Sequence, residues 1–177
     1  MTLRAVAEAV ASAEVTHAHP EGIAGAVAVA VAAALAADAR LSGRRPAAGP
    51  LLDAVVAHVP DSQVRKGLRR AARMVTRSVE EAAWELGNGS NVLAQDTVPF
   101  ALWVAARCLD DYPRAIVECV RAGGDVDTTG AIAGGVVAAF GGVGSRPGVL
   151  GVPPKWRDHR EPLPAWASRE PAAAQEP

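Results

Sequence analysis

Apolar residues recur at helical spacing along most of the chain, and no stretch alternates apolar and polar residues as a half-buried strand would. Glycine, proline and capping residues divide this pattern into segments. We therefore predict an all-α fold, a compact multi-helix bundle in one domain over 1–160, with a Pro/Ala-rich tail over 161–177 that we expect to be disordered. The predicted helices cover approximately 2–13, 21–40, 51–59, 61–78, 79–86, 96–110, 112–121 and the run from Thr128 to Gly142.

The boundaries rest on particular residues. Asp61 is the expected N-cap of the fourth helix, and Asp96 to Pro99 form the expected start of the sixth, with proline in its first turn. Pro46 and Pro50 are placed in a turn before the third helix. The segment after Gly142 is rich in proline and charge, so we expect it to wrap over the surface.

The run Gly22–Ala37 has no charge, but its 16 residues fall short of the roughly 20 that a membrane-spanning helix needs. A secretory signal would carry basic residues directly before its apolar stretch, where this chain has THAHPEG. We therefore expect a buried helix, no targeting segment and a cytoplasmic protein.

Composition narrows the possible functions. Aromatic residues make up only 4% of the chain, so the core must consist of Ala, Val and Leu, which lets helices approach closely. A net charge of −1 gives no electrostatic argument for binding nucleic acid or an anionic membrane. Cys108 and Cys119 lie in helical patterns without further metal-type ligands, which indicates buried free thiols in a reducing compartment.

Candidate chemistry is concentrated in the sequence RAGGDVDTTG, where two glycines lead into Asp125, Asp127 and Thr128 at the start of an apolar helix. Magnesium prefers carboxylate and other oxygen ligands of this kind. The alternative is helix capping, for which one aspartate is enough. Spacing alone favours capping and leaves both interpretations open.

Other patterns carry less information. His17 and His19 could bind a transition metal, but no further histidine has partnering spacing, so we interpret them as loop residues. The basic residues between Arg65 and Arg77 could contact a phosphate, although such a face is more often simply solvated. Gly130, Ala131, Gly134 and Ala138 predict a small-residue face for close helix packing.

Four blocks in order carry a family resemblance: THAHPEGIAGAVAVAVAAALA, LGNGSNVLAQDTVPFALWVAAR, AGGDVDTTGAIAGGVVAAFGG and VPPKWRDHREPLPAW. Together they resemble the ADP-ribosylglycohydrolase family. The resemblance implies an all-α, Mg²⁺-dependent hydrolase that cleaves the glycosidic bond between ADP-ribose and a protein side chain or a related acceptor. The expected partner is therefore an ADP-ribosylated protein or a small molecule containing ADP-ribose.

The same resemblance assigns roles to single residues. It makes Asp125, Asp127 and Thr128 ligands of a pair of magnesium ions and places His17 against the ADP-ribose. It also implies substrate-binding positions beside the adenosine half of the ligand and in the Gly-Gly-Asp block, namely Gly87, Asn88, Gly89, Ser90, Gly123 and Gly124.

The chain departs from the family pattern in one respect. Family members carry a Gly-Asp block and a Thr-Asp-Asp block near their start, which supply the other metal ligands and the carboxylate that activates water. This sequence has no Thr-Asp-Asp, and no Gly-Asp block stands before Thr16. We therefore expect an N-terminally truncated version of the family fold that holds half of the metal site, with its catalytic base unassigned. A second chain could complete the site; alternatively, the protein is a non-catalytic remnant that binds ADP-ribose or serves as an interaction module.

Overall fold

The computed structural model describes residues 2–162 and 164, and it confirms the all-α architecture. Helices account for nearly all the regular structure. A small hairpin of two two-residue strands, β1 (Ser145–Arg146) and β2 (Val149–Leu150), is an addition that the pattern does not predict. The helices are α1 (Thr2–Glu14), α2 (Pro20–Ser42), α3 (Ala48–Val56), α4 (Gln63–Arg73), α5 (Val79–Leu86), α6 (Ala94–Arg107), α7 (Tyr112–Ala122), α8 (Val126–Gly141) and α9 (Pro154–Asp158).

Helix α2 lies at the centre of the bundle. It packs against α1, α8 and α6, and its buried residues are Ala24, Gly25, Val27, Ala28, Val31, Ala32 and Ala36. His19 caps its N-terminus through Nδ1, and Gly43, in the left-handed conformation at φ 67°, ends it. At 23 residues, α2 is long and apolar enough to cross a membrane by length and composition. Its contacts with α1, α6 and α8 are those of a helix packed within a bundle.

Helix α6 supplies the largest buried side chains. Trp103 and Phe100 stack with their ring centroids 6.1 Å apart, and the Trp103 indole donates a hydrogen bond to the Met74 carbonyl at 3.0 Å. The predicted buried free thiols are also confirmed in this region. Burial raises the pKa of the Cys108 thiol to about 12 and that of Cys119 to about 11.

The predicted limits of α4 were wrong at both ends. Ser62, not Asp61, is the N-cap, because its hydroxyl accepts the Arg65 N–H at 3.0 Å. The helix ends at Arg73 instead of reaching Ser78, since Ser78 forms a capping box with Glu81 and thereby starts α5. The predicted helix thus contains two N-caps, Ser62 and Ser78, and the second one starts a separate helix.

The predicted starts of α3 and α6 were also too late. Pro50 lies in the first turn of α3, where its missing N–H is not needed. Helix α6 begins at Ala94, so Pro99 falls in its second turn. There the ring packs on Gly67, where an added Cβ would lie 2.6 Å from Pro99 Cγ. Asp96 is not the N-cap; its carboxylate instead accepts the Asn91 N–H at 2.8 Å.

Helix α8 confirms the small-residue face only in part. Gly134 is buried, and an added Cβ would lie 3.1 Å from the Tyr112 hydroxyl and 3.2 Å from Ile116 Cδ1. Ala131, however, is exposed, and Gly130 faces open space. Beyond α8, the chain forms the hairpin and the short α9; the predicted disorder of 161–177 falls almost entirely outside the described residues.

Candidate functional site

The N-terminus of α8 carries the predicted metal ligands. Gly123 and Gly124 both have positive φ angles, 64° and 72°, which turn the chain sharply from α7 into α8. Asp125 is the N-cap: its Oδ1 accepts the Thr128 N–H at 3.4 Å. Capping is therefore real at Asp125, and the side chains of Asp127 and Thr128 lie close enough at the same helix end to interact with its carboxylate.

The loop after α5 packs directly on this turn. The Asp125 N–H donates to the Asn88 carbonyl at 3.1 Å, and the Asn88 amide donates to the Ala122 carbonyl at 3.0 Å. The glycines are necessary here, because a Cβ on Gly89 would lie 2.6 Å from Asp125 Cβ, and a Cβ on Gly124 would collide with Asn88. The structure thus brings two of the sequence-predicted segments into contact.

Internal hydrogen bonds fix the shape of this loop. The Asn88 Oδ1 accepts the Ser90 hydroxyl at 2.7 Å and the Ser90 N–H at 3.3 Å. Gly87 has φ 89° and lies so close to Asp96 that a side chain would have no room. Gly87 and Asn88 line a separate cavity of about 410 Å³ that also contains Asn91 and Asp96.

The third segment shares a cleft with Thr128, but Asp125 and Asp127 are not among the residues that line that cleft. His17 and Thr128 line the same cleft, with a volume of about 630 Å³, between the start of α2 and the starts of α6 and α8. His17 is exposed, and its Nδ1 lies 2.7 Å from the Thr16 hydroxyl oxygen. This contact restricts the ring and does not involve the other ring nitrogen, Nε2. His19 caps α2 and also lines the cleft.

The cleft contains residues that sequence reasoning missed. Glu21 is the most informative, since its two carboxylate oxygens accept the Gln63 and Val64 N–H groups at 2.7 and 3.0 Å, at the start of α4. Its position directly after His19-Pro20 was the one local signal that it lies near the candidate site. Its hydrogen-bond partners are 42 and 43 positions away in sequence, so local pattern could not reveal the contact. The other lining residues not predicted include Ser12, Val92, Leu93, Gln95 and Thr97.

The electrostatics at the start of α8 favour an ionised carboxylate. The side chain of Asp127, followed by the hydroxyl and N–H of Thr128, lowers the pKa of Asp125. Hard oxygen donors at one helix end suit Mg²⁺ in kind. Their number is small: in the part of the chain that the structure describes, no group of three or more His, Cys, Asp or Glu side chains could hold a metal ion. The residues therefore fit part of a magnesium site.

Comparison with known proteins decides the family. The ADP-ribosylglycohydrolase model matches residues 2–175, nearly the whole chain. The chain belongs to the ADP-ribosylglycohydrolase family. Its resemblance to that family, first visible in four sequence blocks, is confirmed.

Curated relatives extend this result. The chain is 27% identical over 181 residues to ADP-ribosylhydrolase ARH3 of Gallus gallus, covering 85% of this chain and 46% of that protein. It is 32% identical over 97 residues to ADP-ribosylhydrolase ARH3 of Homo sapiens, covering 49% of this chain and 24% of that protein. The chain thus spans less than half the length of these relatives. No solved structure is a significant match.

Proposed function

We propose that this protein acts in the metal-dependent hydrolysis of the glycosidic bond between ADP-ribose and a protein side chain or related acceptor. The observation that carries the proposal is the meeting of three separate segments at one end of the bundle. His17 and Thr128 share a cleft, and the Asn88 carbonyl accepts the Asp125 N–H. The family is metal-dependent, and substrates that contain ADP-ribose fit it.

In this proposal the three oxygen-bearing side chains at the start of α8, Asp125, Asp127 and Thr128, would hold magnesium. The metal would orient the ribose hydroxyls and a water molecule and stabilise charge as the bond breaks. A solvent-accessible aspartate such as Asp125 is ionised at neutral pH, as a metal ligand must be, and the interactions that lower its pKa act in the same direction. The Thr16 hydroxyl holds the His17 ring at 2.7 Å, so that Nε2 can contact the substrate.

The proposal includes a half-complete metal site. Two octahedral magnesium ions need about twelve ligand positions, and proteins usually fill several with water. Three side chains are still too few to hold two ions tightly, and we assign no general base among residues 2–162 and 164. The remaining ligands and the base would come from polypeptide outside the described residues or from a second chain.

A non-catalytic role is the second candidate. The small number of acidic ligands at the site favours it, since a module that only binds ADP-ribose needs no activated water. The cleft volume of about 630 Å³ lies within the range of small-molecule sites. The two functions differ in one measurable property, the dependence of ADP-ribose binding on metal.

Isothermal titration calorimetry with ADP-ribose, with and without MgCl₂, tests both. If the site holds metal, Mg²⁺ should strengthen binding, and Asp125→Asn and Asp127→Asn should each remove that effect. Asp53→Asn, an exposed aspartate on α3, is the matched control and should behave as the unmodified protein. Equal affinity with and without Mg²⁺ would favour the binding module, and no binding in either condition would contradict both functions.

A further inference from the structure

Helix α4 presents a row of positively charged side chains to solvent. Lys66, Arg69, Arg70 and Arg73 are all exposed, and they recur at intervals of three and four residues, so they lie along one side of the helix. We call these four residues the α4 basic face. The other side of α4 is buried against the core. The helix therefore separates its apolar side from a solvent side that is cationic at four positions.

No acidic residue neutralises this face. None of the four side chains makes an ion pair with any residue in the part of the chain that the structure describes. In contrast, Arg107, Arg114 and Arg121 on the neighbouring helices each pair with a glutamate. The four charges of the α4 basic face are therefore free to meet an anion from outside the molecule.

Helix stability does not explain the charges. The pairs Lys66 with Arg70 and Arg69 with Arg73 place like charges four residues apart, which destabilises a helix. The first turn of α4 contains no acidic residue, although the helix dipole favours negative charge there. Arg65 lies in that turn instead, and its buried Nε has no hydrogen-bond partner among the described residues. An external anion would offset the repulsion along the row.

We propose that the α4 basic face binds the phosphodiester backbone of a nucleic-acid duplex without sequence preference. From Lys66 to Arg73 the helix rises about 10 Å, and over that length a duplex axis carries about six phosphate charges, so the two charge densities are similar. Three of the four residues are arginines, whose planar guanidinium groups can hold two phosphate oxygens at once.

The structure argues against a membrane or a protein as the partner. An amphipathic helix binds a membrane by burying its apolar side in the bilayer, but Val64, Leu68 and Ala71 of α4 are already buried in the core. The core of a protein interface is depleted of charged residues, whereas every position of the α4 basic face is charged. Phosphate contacts, in contrast, are made by rows of arginine and lysine.

The net charge of −1 for the whole chain conceals this local charge separation. The potential at a surface depends on how charges are distributed, and a basic helix face is a typical footprint of nucleic-acid binding. Glu81 and Glu85 line a groove with Arg70 and limit the basic area at that end. We therefore expect weak binding, with a dissociation constant of about 10⁻⁴–10⁻⁶ M, the range of non-specific binding.

This inference goes beyond the proposed hydrolase function and does not depend on it. None of the four residues lines the cleft that contains His17 and Thr128. Arg69→Gln should therefore leave the calorimetric titration with ADP-ribose unchanged, so that a failure of either proposal is visible without the other.

Fluorescence anisotropy with labelled DNA duplexes of two unrelated sequences, at KCl concentrations from about 25 to 200 mM, tests the proposal. Four phosphate contacts predict that log K falls with log[KCl] at a slope of about −3.6, so binding should weaken roughly 150-fold between 50 and 200 mM. The two sequences should bind equally, because the backbone is the same in both. An RNA duplex of one of the sequences shows whether the face prefers one kind of backbone.

Substitutions identify the face. Arg69→Gln and Arg73→Gln should each reduce the magnitude of the slope by about 0.9, and the double variant by about 1.8. Glutamine and arginine have similar helix propensities, so the melting temperature should not fall. Lys155→Gln, at an exposed lysine of α9 with no ion pair in the described part of the chain, removes the same charge elsewhere and should leave the slope unchanged.

Each of several results would overturn the proposal. The first is the absence of duplex binding at about 25 mM KCl, where phosphate contacts are strongest. The second is a slope that the double variant leaves unchanged, since binding would then occur elsewhere on the molecule. The third is tighter binding to a single strand of the same sequence, or to vesicles that contain phosphatidylserine, than to the duplex.

Discussion

At the scale of single residues, the site depends on the space beside two adjacent glycines. Gly123 and Gly124 both have positive φ angles, but Gly123 faces open space, whereas a Cβ on Gly124 would collide with Asn88. Gly124 therefore allows the loop after α5 to reach the start of α8, where the Asp125 N–H donates to the Asn88 carbonyl. The two glycines form a matched pair for an experiment.

Gly123→Ala and Gly124→Ala should differ in their effects on stability. Both introduce backbone strain of about 1–3 kcal/mol, because an alanine rarely adopts such a conformation. Gly124→Ala should lower the free energy of unfolding by a further 1–3 kcal/mol or so, since it also overpacks the contact with Asn88. Urea denaturation measures both values, and equal losses would show that the loop moves away without resistance.

The residue scale also shows what a sequence can reveal about a site. Asp125, Asp127 and Thr128 lie within four positions, so their meeting at a helix start was predictable from local pattern. That pattern could not decide between capping and metal binding, because both use the same oxygen atoms. The roles of His17, Gly87, Asn88, Gly89 and Ser90 came from family resemblance alone, and those roles stay predictions.

At the scale of helices, substitutions at the neighbouring residues Gly134 and Gly135 distinguish the effect of helix packing from the effect of intrinsic helix propensity. Gly134 is buried against Tyr112 and Ile116, whereas Gly135 is exposed with nothing nearby. Gly134→Leu should destabilise the protein by about 1–3 kcal/mol through overpacking. Gly135→Ala should stabilise it by roughly 0.5–1 kcal/mol, because glycine is a poor residue inside a helix. Thermal melting of both variants is the measurement; an unchanged melting temperature for Gly134→Leu would contradict close packing of α7 on α8.

Glu21 links two helices through a contact that no local pattern contains. Its carboxylate accepts two N–H groups at the start of α4, where the helix dipole favours negative charge. Glu21→Ala should therefore lower the free energy of unfolding by about 1.5–3 kcal/mol, the range for hydrogen bonds to a charged group. Glu14→Ala, at an exposed glutamate that ends α1, is the control and should change little. Equal urea midpoints for the two variants would exclude a stabilising role for the Glu21 contact.

Helix existence was easier to predict than helix limits. Each predicted helix is present, because the apolar spacing continues over several turns. The limits of α4 failed because Asp61 and Ser62 are both capable caps, and only the fold decides which hydroxyl or carboxylate meets an N–H. The predicted start of α6 was wrong because Pro99 looked like a first-turn residue. Pro99 fits in the second turn because its ring packs on a glycine of α4, which lies 32 positions earlier in the sequence.

At the scale of the whole molecule, one continuous core joins the helices, and the candidate site lies at an end of it. The buried cluster includes residues from α1 through α8, so the three segments of the site are carried by a single packed unit. Pre-formed positions of this kind are what substrate binding requires. The rigidity of the core does not, however, supply the missing metal ligands.

We therefore predict that residues 1–177 by themselves are a poor hydrolase. With few anionic ligands, Mg²⁺ keeps most of its water and binds weakly. Without a positioned base, the attacking water forgoes the roughly 10²–10⁴-fold acceleration that general-base catalysis provides. Single-turnover release of ADP-ribose from an ADP-ribosylated peptide at millimolar Mg²⁺ should stay near background, with a peptide that the full-length chicken ADP-ribosylhydrolase cleaves as the substrate and that protein as positive control. Substantial Mg²⁺-dependent release that Asp127→Ala abolishes would contradict the half-site and require that ligands not recognised in this structure complete the centre.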